Sequence, residues 1–205
     1  MFHQSVLGAI GDHSRSYATA ACPDQFVGLI SDFIGSADDF PHRDLVDEVG
    51  ETDDPTVVLI LESPHKSEFL HPIGPAKGST GRLIRRYIKD IISGSAPPQT
   101  RLFLMNAIQY QCSLGEPPEK YRDKVFRVAW ANYARRDFIH RISALNRNNI
   151  NLIVNACTKG KPTADQTPLR ALVEDAISEA LSRRSDIRIC HPASWASPHN
   201  RRATW

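Results

Sequence analysis

The stretch TVVLILES, residues 56–63, decides the fold. Its first six residues are all apolar or β-branched, which is typical of a strand that is buried on both faces. The stretch STGRLIRRYIKDIIS, residues 79–93, follows with apolar residues at helical spacing. A buried strand followed by an amphipathic helix predicts the first half of a βαβ unit with parallel strands.

The same alternation continues along the chain. Three more strands are predicted at RLFLMNAI (101–108), NLIVNAC (151–157) and DIRICHP (186–192). Helices are predicted at 23–35, 124–146 and 167–184. The chain is therefore expected to be a single α/β domain over residues 1–205. Its core would be a three-layer α/β/α sandwich around a four-stranded parallel sheet, with residues 1–55 as a helical and loop segment packed on it.

Composition and charge restrict the classes of partner. The 25 basic and 23 acidic residues give a net charge of +2, but bases cluster at 82–89 and 198–202, and local patches matter more than the total for binding a polyanion. No apolar run is long enough for a membrane span, so no membrane partner is expected. The N-terminus shows no leader pattern, and a cytoplasmic location is expected. No obligate protein partner is predicted.

The four cysteines, Cys22, Cys112, Cys157 and Cys190, are far apart in the sequence, without a closely spaced pair. This spacing favours reduced thiols over a disulfide framework or an iron–sulfur cluster. No metal and no cofactor is expected.

Polar residues follow each predicted strand. In parallel sheets, ligands bind beyond the carboxyl ends of the strands. These ends carry ESPH (62–65), NAIQYQ (106–111), NACTKG (155–160) and HPASW (191–195). The sequence therefore predicts that Glu62, Asn106, Asn155 and His191 meet at one rim of the sheet.

Three of these segments resemble motifs of the uracil-DNA glycosylase superfamily, over roughly residues 56–202. The motifs are LESPHKSEF with IGPAKGSTGRL (61–69 and 73–83), LFLMNAI (102–108) and HPASWASPHNRR (191–202). The first is closest to the thermophile-type branch. The resemblance implies a glycosylase-like sandwich and a monofunctional DNA glycosylase. Such an enzyme flips a pyrimidine nucleotide and hydrolyses its N-glycosidic bond to leave an abasic site.

The resemblance also implies roles for individual residues. His191 would donate to the base O2, where negative charge develops, and such a donor is worth about 3–4 kcal/mol. Glu62 would stabilise the sugar cation or orient water. Ser63 stands where the commonest branch has a catalytic Asp, so this role is open between Glu62, Ser63 and a water held by both. Asn106 would read the base edge through its amide.

At two positions that form the pocket wall in the relatives, this sequence has different residue types. Ala76 or Lys77 falls where relatives place a Phe that stacks on uracil, and His65 replaces a Tyr that blocks a 5-methyl group. These changes leave room beside C5, where the polar residues His65, Lys66, Lys77 and Gln109 would hydrogen-bond a substituent. The expected substrate is therefore a 5-substituted cytosine or uracil of the kind found in phage DNA, with a role in antiviral defence. The alternatives are a uracil-DNA repair glycosylase, a catalytically weak module that binds modified DNA, and a small-molecule nucleotide hydrolase.

The last motif implies contacts with single- or double-stranded DNA. Trp195 would fill the space that the flipped base leaves, unless it is a core residue under the loop. The turn at Ser79 and the loop residues Ser194 and Ser197 would contact phosphates, and Arg201 and Arg202 would add positive charge.

Overall fold

A computed structural model describes residues 4–33, 40, 55–97, 99–113, 121–145, 150–202 and 204–205, together with the backbone of 44–45. Parts of the segment 1–55, for which a helical and loop structure was expected, lie outside these residues. The strands are β1 (Gln25–Leu29), β2 (Asp44–Leu45), β3 (Thr56–Leu61), β4 (Arg101–Asn106), β5 (Ile150–Asn155) and β6 (Ile187–Arg188).

The described strands form one mixed sheet in the order β2-β1-β4-β3-β5-β6. The four strands predicted from the sequence are adjacent and parallel, with β3 between β4 and β5. Strand β1 adds to the free edge of β4 in antiparallel orientation, and β2 pairs with β1 in the same way. The α/β class is confirmed, but the sheet is wider than the predicted four strands and is not wholly parallel.

The helix predicted at 23–35 is wrong. This segment forms β1 followed by a short 3₁₀ turn at Ile30–Asp32. The apolar residues Phe26, Leu29, Ile30 and Phe33 have helix-like spacing. The strand register shifts between Phe26 and Gly28, where Gly28 has a φ of 128°. This bulge interrupts the two-residue alternation by which a strand is recognised.

The helices are α1 (Gln4–Ile10), α2 (Ser79–Ile92), α3 (Arg122–Ala129), α4 (Arg135–Leu145), α5 (Leu169–Leu181) and α6 (Pro198–Arg202). Those predicted at 79–93, 124–146 and 167–184 are confirmed. The second of them is continuous from α3 to α4, but it contains a π-helical turn at Trp130–Ala134. A π turn adds one residue to a helix without breaking it.

The sheet lies between two helical layers, because its side chains alternate between two cores. Val58, Ile60 and Phe103 belong to one core cluster together with residues of α3, α4 and α5. Val57 and Leu59 belong to the other, which includes the apolar face of α2. Burying each large apolar side chain contributes about 1.5–3 kcal/mol. The carboxyl ends of the central strands therefore open between these layers, where the next residues form a pocket.

Candidate functional site

A pocket of about 620 Å³ lies at the carboxyl ends of the parallel strands. This volume falls in the range of small-molecule sites, about 300–1,000 Å³. The lining residues are mostly polar, and seven of the fifteen carry a hydroxyl group. They are Glu62, Ser63, Pro64, His65, Ser67, Lys77, Gly78, Ser79, Thr80, Ser113, Arg122, Thr158, His191, Ala193 and Ser194. The structure thus brings together Glu62, Ser63, His65, Lys77, Ser79, His191 and Ser194 of the predicted site.

Glu62 provides a carboxylate at the base of the pocket. It follows directly on the fully buried strand β3, and only 5% of its surface is exposed. Its Oε1 accepts a hydrogen bond from Ser63 Oγ at 3.3 Å, and its Oε2 lies 3.6 Å from Arg122 Nε. Burying a carboxylate costs free energy unless cations and donors surround it. Here the Arg122 guanidinium and the Ser63 hydroxyl supply that compensation.

His191 faces the same pocket from the loop after β6. It precedes a 3₁₀ turn at Pro192–Ser194, and its Nδ1 accepts the backbone N–H of Ala193 at 3.3 Å. Burial, and then the positive charge of Arg122, lower the pKa of His191 to about 4. The ring is therefore neutral at pH 7. Since Nδ1 is an acceptor, the proton resides on Nε2, which makes Nε2 a donor.

Arg122 is a pocket residue that the sequence reasoning missed. It is the first residue of α3, and Tyr121 before it has a left-handed φ of 65°. The site was predicted from the residues that directly follow the predicted strands, and Arg122 is not one of them. Its position at the start of the helix that comes next after β4 in the chain was the available signal. Arg122 places a positive charge near both Glu62 and His191.

The start of α2 forms another wall. Gly78, with a φ of 71°, precedes the helix, and Ser79 and Thr80 of its first turn line the pocket. The free N–H groups of a helix start favour an anionic or carbonyl oxygen. Lys77 donates from Nζ to the carbonyls of Leu70 and Pro72. His65 Nδ1 accepts the N–H of Ser67 at 3.2 Å.

Three residues predicted to bind the substrate lie outside the pocket lining. Ala76 is completely buried in the core with α2. Asn106 is 1% exposed, and its Nδ2 lies 3.8 Å from Cys22 Sγ. Gln109 accepts the N–H of Cys22 at its carbonyl, and its side chain bonds to Asp24. The segment Cys22–Asp24, which precedes the unforeseen strand β1, contacts both Asn106 and Gln109.

Asn155 also has a structural position rather than one at the rim. Its Nδ2 donates to Glu174 Oε2 at 2.9 Å, and its Oδ1 accepts the N–H of Cys157 at 3.1 Å. Glu174 in turn accepts from Ser185 Oγ at 2.7 Å. This buried network joins β5 to α5 and to the start of β6.

The prediction that Trp195 is presented to DNA is wrong. Its side chain is 0% exposed and belongs to the core cluster on the α2 side of the sheet. Its Nε1 donates to the carbonyl of Cys190 at 2.7 Å. A 3₁₀ turn at Pro192–Ser194 directly precedes Trp195, and the indole packs in the core. Local composition correctly indicated a broken loop, but it does not report the direction of the side chain.

The other predicted DNA contacts fall into two groups. Ser197 and Arg202 are exposed. Ser194 Oγ donates to the carbonyl of His191 at 2.8 Å, and Arg201 donates to the carbonyl of Trp195 while its guanidinium lies 4.0 Å from the centre of the Tyr87 ring. Ser194 and Arg201 therefore hold the His191 loop in shape.

All four cysteines are free thiols, and Cys22, Cys112 and Cys157 are buried. Burial raises the pKa of the Cys112 and Cys157 thiols above the usual range, and the Glu62 carboxylate raises it further. Both thiols are therefore protonated at neutral pH. Within the described ranges, no helix is long and apolar enough to cross a membrane.

Comparison of the chain with protein-family models, with curated proteins and with solved structures gives no match.

Proposed function

We propose that this protein is a monofunctional DNA glycosylase that removes a 5-substituted cytosine or uracil from DNA. The observation that carries the proposal is the state of His191. It is a neutral imidazole whose Nδ1 accepts a backbone N–H, so its Nε2 is available as a donor in a pocket that also contains the Glu62 carboxylate. A neutral donor and a carboxylate in one cleft suit a reaction that separates a base anion from a sugar cation.

The reaction is a hydrolysis whose only co-reactant is water. The bond between C1′ of the sugar and N1 of the base breaks, and its electron pair leaves with the base. His191 Nε2–H stabilises the negative charge at the base O2. Glu62, with Ser63, stabilises the positive sugar and orients the water whose oxygen bonds to C1′. One proton of that water passes to the carboxylate and then to solvent, and the base takes up a proton.

The walls of the pocket support a substrate larger than uracil. No Phe, Tyr or Trp occurs among the lining residues in the described part of the chain. Stacking on the ring of a Phe, Tyr or Trp is therefore not part of the recognition that we propose. The five lining hydroxyl groups other than those of Ser63 and Ser194, together with His65 and Lys77, instead offer hydrogen bonds to a polar substituent. Removal of such bases from phage DNA would serve antiviral defence.

The test is release of free base, followed by mass spectrometry, from duplexes that contain uracil, a thymine mismatch, hydroxymethylcytosine or glucosylated hydroxymethylcytosine. We expect release of a 5-substituted base by the wild type and none by His191→Ala. His140→Ala is the matched control, because His140 is exposed on α4 and does not line the pocket. Release of uracil alone would make this a repair enzyme. Tight binding of modified DNA without release of any base would overturn the enzymatic assignment.

A further inference from the structure

We propose that Leu70 is the side chain that enters the DNA duplex when the target nucleotide leaves it. This inference rests on the proposed function, because a wedge is needed only if a base is flipped. Side chains such as Leu, Phe or Met unstack neighbouring bases in proteins that distort DNA. The indole of Trp195 cannot do so here, since it is buried in the core.

The first observation is the exposure of Leu70. Its surface is 67% exposed, and among the described residues the only other exposed large apolar side chain is Leu7, at 39%. A single exposed Leu is common on proteins. The position of Leu70 distinguishes it, because the loop that carries it starts at His65 and ends at Lys77, and both residues line the pocket. Leu7 is instead on α1, which packs against α3.

The second observation is that this loop is held in a fixed shape. Lys77 Nζ donates to the carbonyls of Leu70 and Pro72, so the backbone of Leu70 is tied to a pocket residue. The N–H of Gly74 donates to the carbonyl of Glu68 at 3.0 Å. The N–H of His65 donates to the Glu68 carboxylate, also at 3.0 Å. A wedge must keep its position while bases unstack around it, and these bonds provide that support.

The third observation is the charge of the loop, which identifies DNA as the occupant. Lys66 is exposed and Lys77 is partly exposed, so both present positive charge. Glu68 is the only acid between residues 65 and 77, and it is buried with its carboxylate turned to the backbone of His65. The exposed Leu70 is therefore flanked along this loop by Lys66 and Lys77, and the Lys77 ammonium bonds to its carbonyl. This arrangement suits entry between bases with phosphates on either side.

The test compares double-stranded with single-stranded DNA that contains the same target base. Leu70→Ala is expected to lower kcat/KM on the duplex by about tenfold or more, since unstacking a base step costs free energy. Its activity on the single strand should stay within about twofold, because a single strand has no partner stack to open. Leu7→Ala is the control and should leave both rates unchanged. Equal loss on both substrates, or no loss on either, would overturn the role of Leu70.

A second readout separates this inference from the proposed function. The fluorescence of 2-aminopurine next to the target base rises when that base leaves the stack, whether or not it is then cut. We expect binding of wild type and of Leu7→Ala to raise the signal, and binding of Leu70→Ala to leave it low. If no base is released but this pattern holds, the glycosylase proposal fails and the wedge stands. If Leu70→Ala raises the signal as the wild type does, the wedge is excluded.

Discussion

The Glu62 carboxylate and the Arg122 guanidinium form an ion pair, 3.6 Å from Oε2 to Nε, at the base of the pocket. The two residues come from different layers of the fold, one from the end of β3 and one from the start of α3. Both side chains are largely removed from solvent, so their attraction is screened less than that of a surface pair. The same cation also acts on His191. Arg122 therefore influences both groups to which we assign the chemistry.

Replacing Arg122 with Gln is expected to lower kcat by about 10- to 100-fold, because Glu62 loses the partner that positions it. The acid side of the pH–rate profile should also move to higher pH. Arg122 lowers the pKa of His191, so without it the ring becomes protonated at a higher pH and stops being a neutral donor. Arg122→Lys keeps the charge and should leave that acid limb near its original position. An unshifted profile for Arg122→Gln would show that the cation does not control His191.

His191 should also give stability a distinct pH dependence. Its pKa is about 4 in the folded protein, against about 6.5 in an unfolded chain. Between these values the unfolded state takes up a proton that the folded state does not, so stability falls as the pH falls. Between pH 7 and pH 5, the free energy of unfolding of His191→Gln is expected to fall by about 1–2 kcal/mol less than that of the wild type. Urea unfolding at both pH values measures this difference, and equal losses would contradict the low pKa.

Trp195→Ala is expected to destabilise the protein by about 3–5 kcal/mol, since it empties a fully buried site and removes the bond from Nε1 to the carbonyl of Cys190. Chemical denaturation measures the change in the free energy of unfolding. Ser197→Ala, an exposed change in the same loop, should stay within about 0.5 kcal/mol of the wild type. If Trp195→Ala is as stable as the wild type but binds DNA more weakly, the buried position of the indole is contradicted.

Gly160→Ala is expected to destabilise the protein by about 1–3 kcal/mol. Gly160 has a φ of 71°, and an added Cβ would lie 2.2 Å from Asp123 Oδ1 and 2.8 Å from Leu169 Cγ. That Asp123 oxygen accepts the N–H of Lys161 at 2.8 Å, so the clash would loosen α3 next to Arg122. Gly8→Ala in α1 meets nothing within 4 Å, and in a helix it should stabilise by about 0.5–1 kcal/mol. Melting temperatures of the two variants should therefore move in opposite directions.

The elements that the sequence predicted well are those with a long, clear period. The run of β3 is short and rich in β-branched residues, which favours a strand over a buried helix, and the helical spacing of apolar residues in α2 favours an amphipathic helix. The segment at 23–35 failed because the bulge at Gly28 left a pattern that also fits a helix. The spacing of apolar residues alone cannot distinguish a helix from a bulged strand when both would bury the same residues.

The candidate site was predictable where a residue directly follows a strand, as Glu62 does, because the strand fixes its location. It was less predictable where the side chain's direction depends on distant contacts. Asn106 is also at the carboxyl end of a parallel strand, as the last residue of β4. Its amide nevertheless contacts Cys22, from a distant part of the chain. Trp195 was placed outward because its neighbours are polar, although its ring packs in the core directly after a 3₁₀ turn.

The π-helical turn at Trp130–Ala134 also sets the rotation of the helix on which Arg122 and Arg141 lie. Arg141 donates to Asp24 and to the carbonyls of Asn106 and Ala107, so both ends of the helix are tied near strand ends. At about 100° per residue, the nineteen steps between these arginines would leave them about 100° apart in a regular helix. One inserted residue reduces this to about five whole turns. Deleting one residue from the π turn would therefore leave about eighteen regular steps and keep the two arginines on one face, whereas a regular helix that retained all nineteen steps would separate them by about 100°.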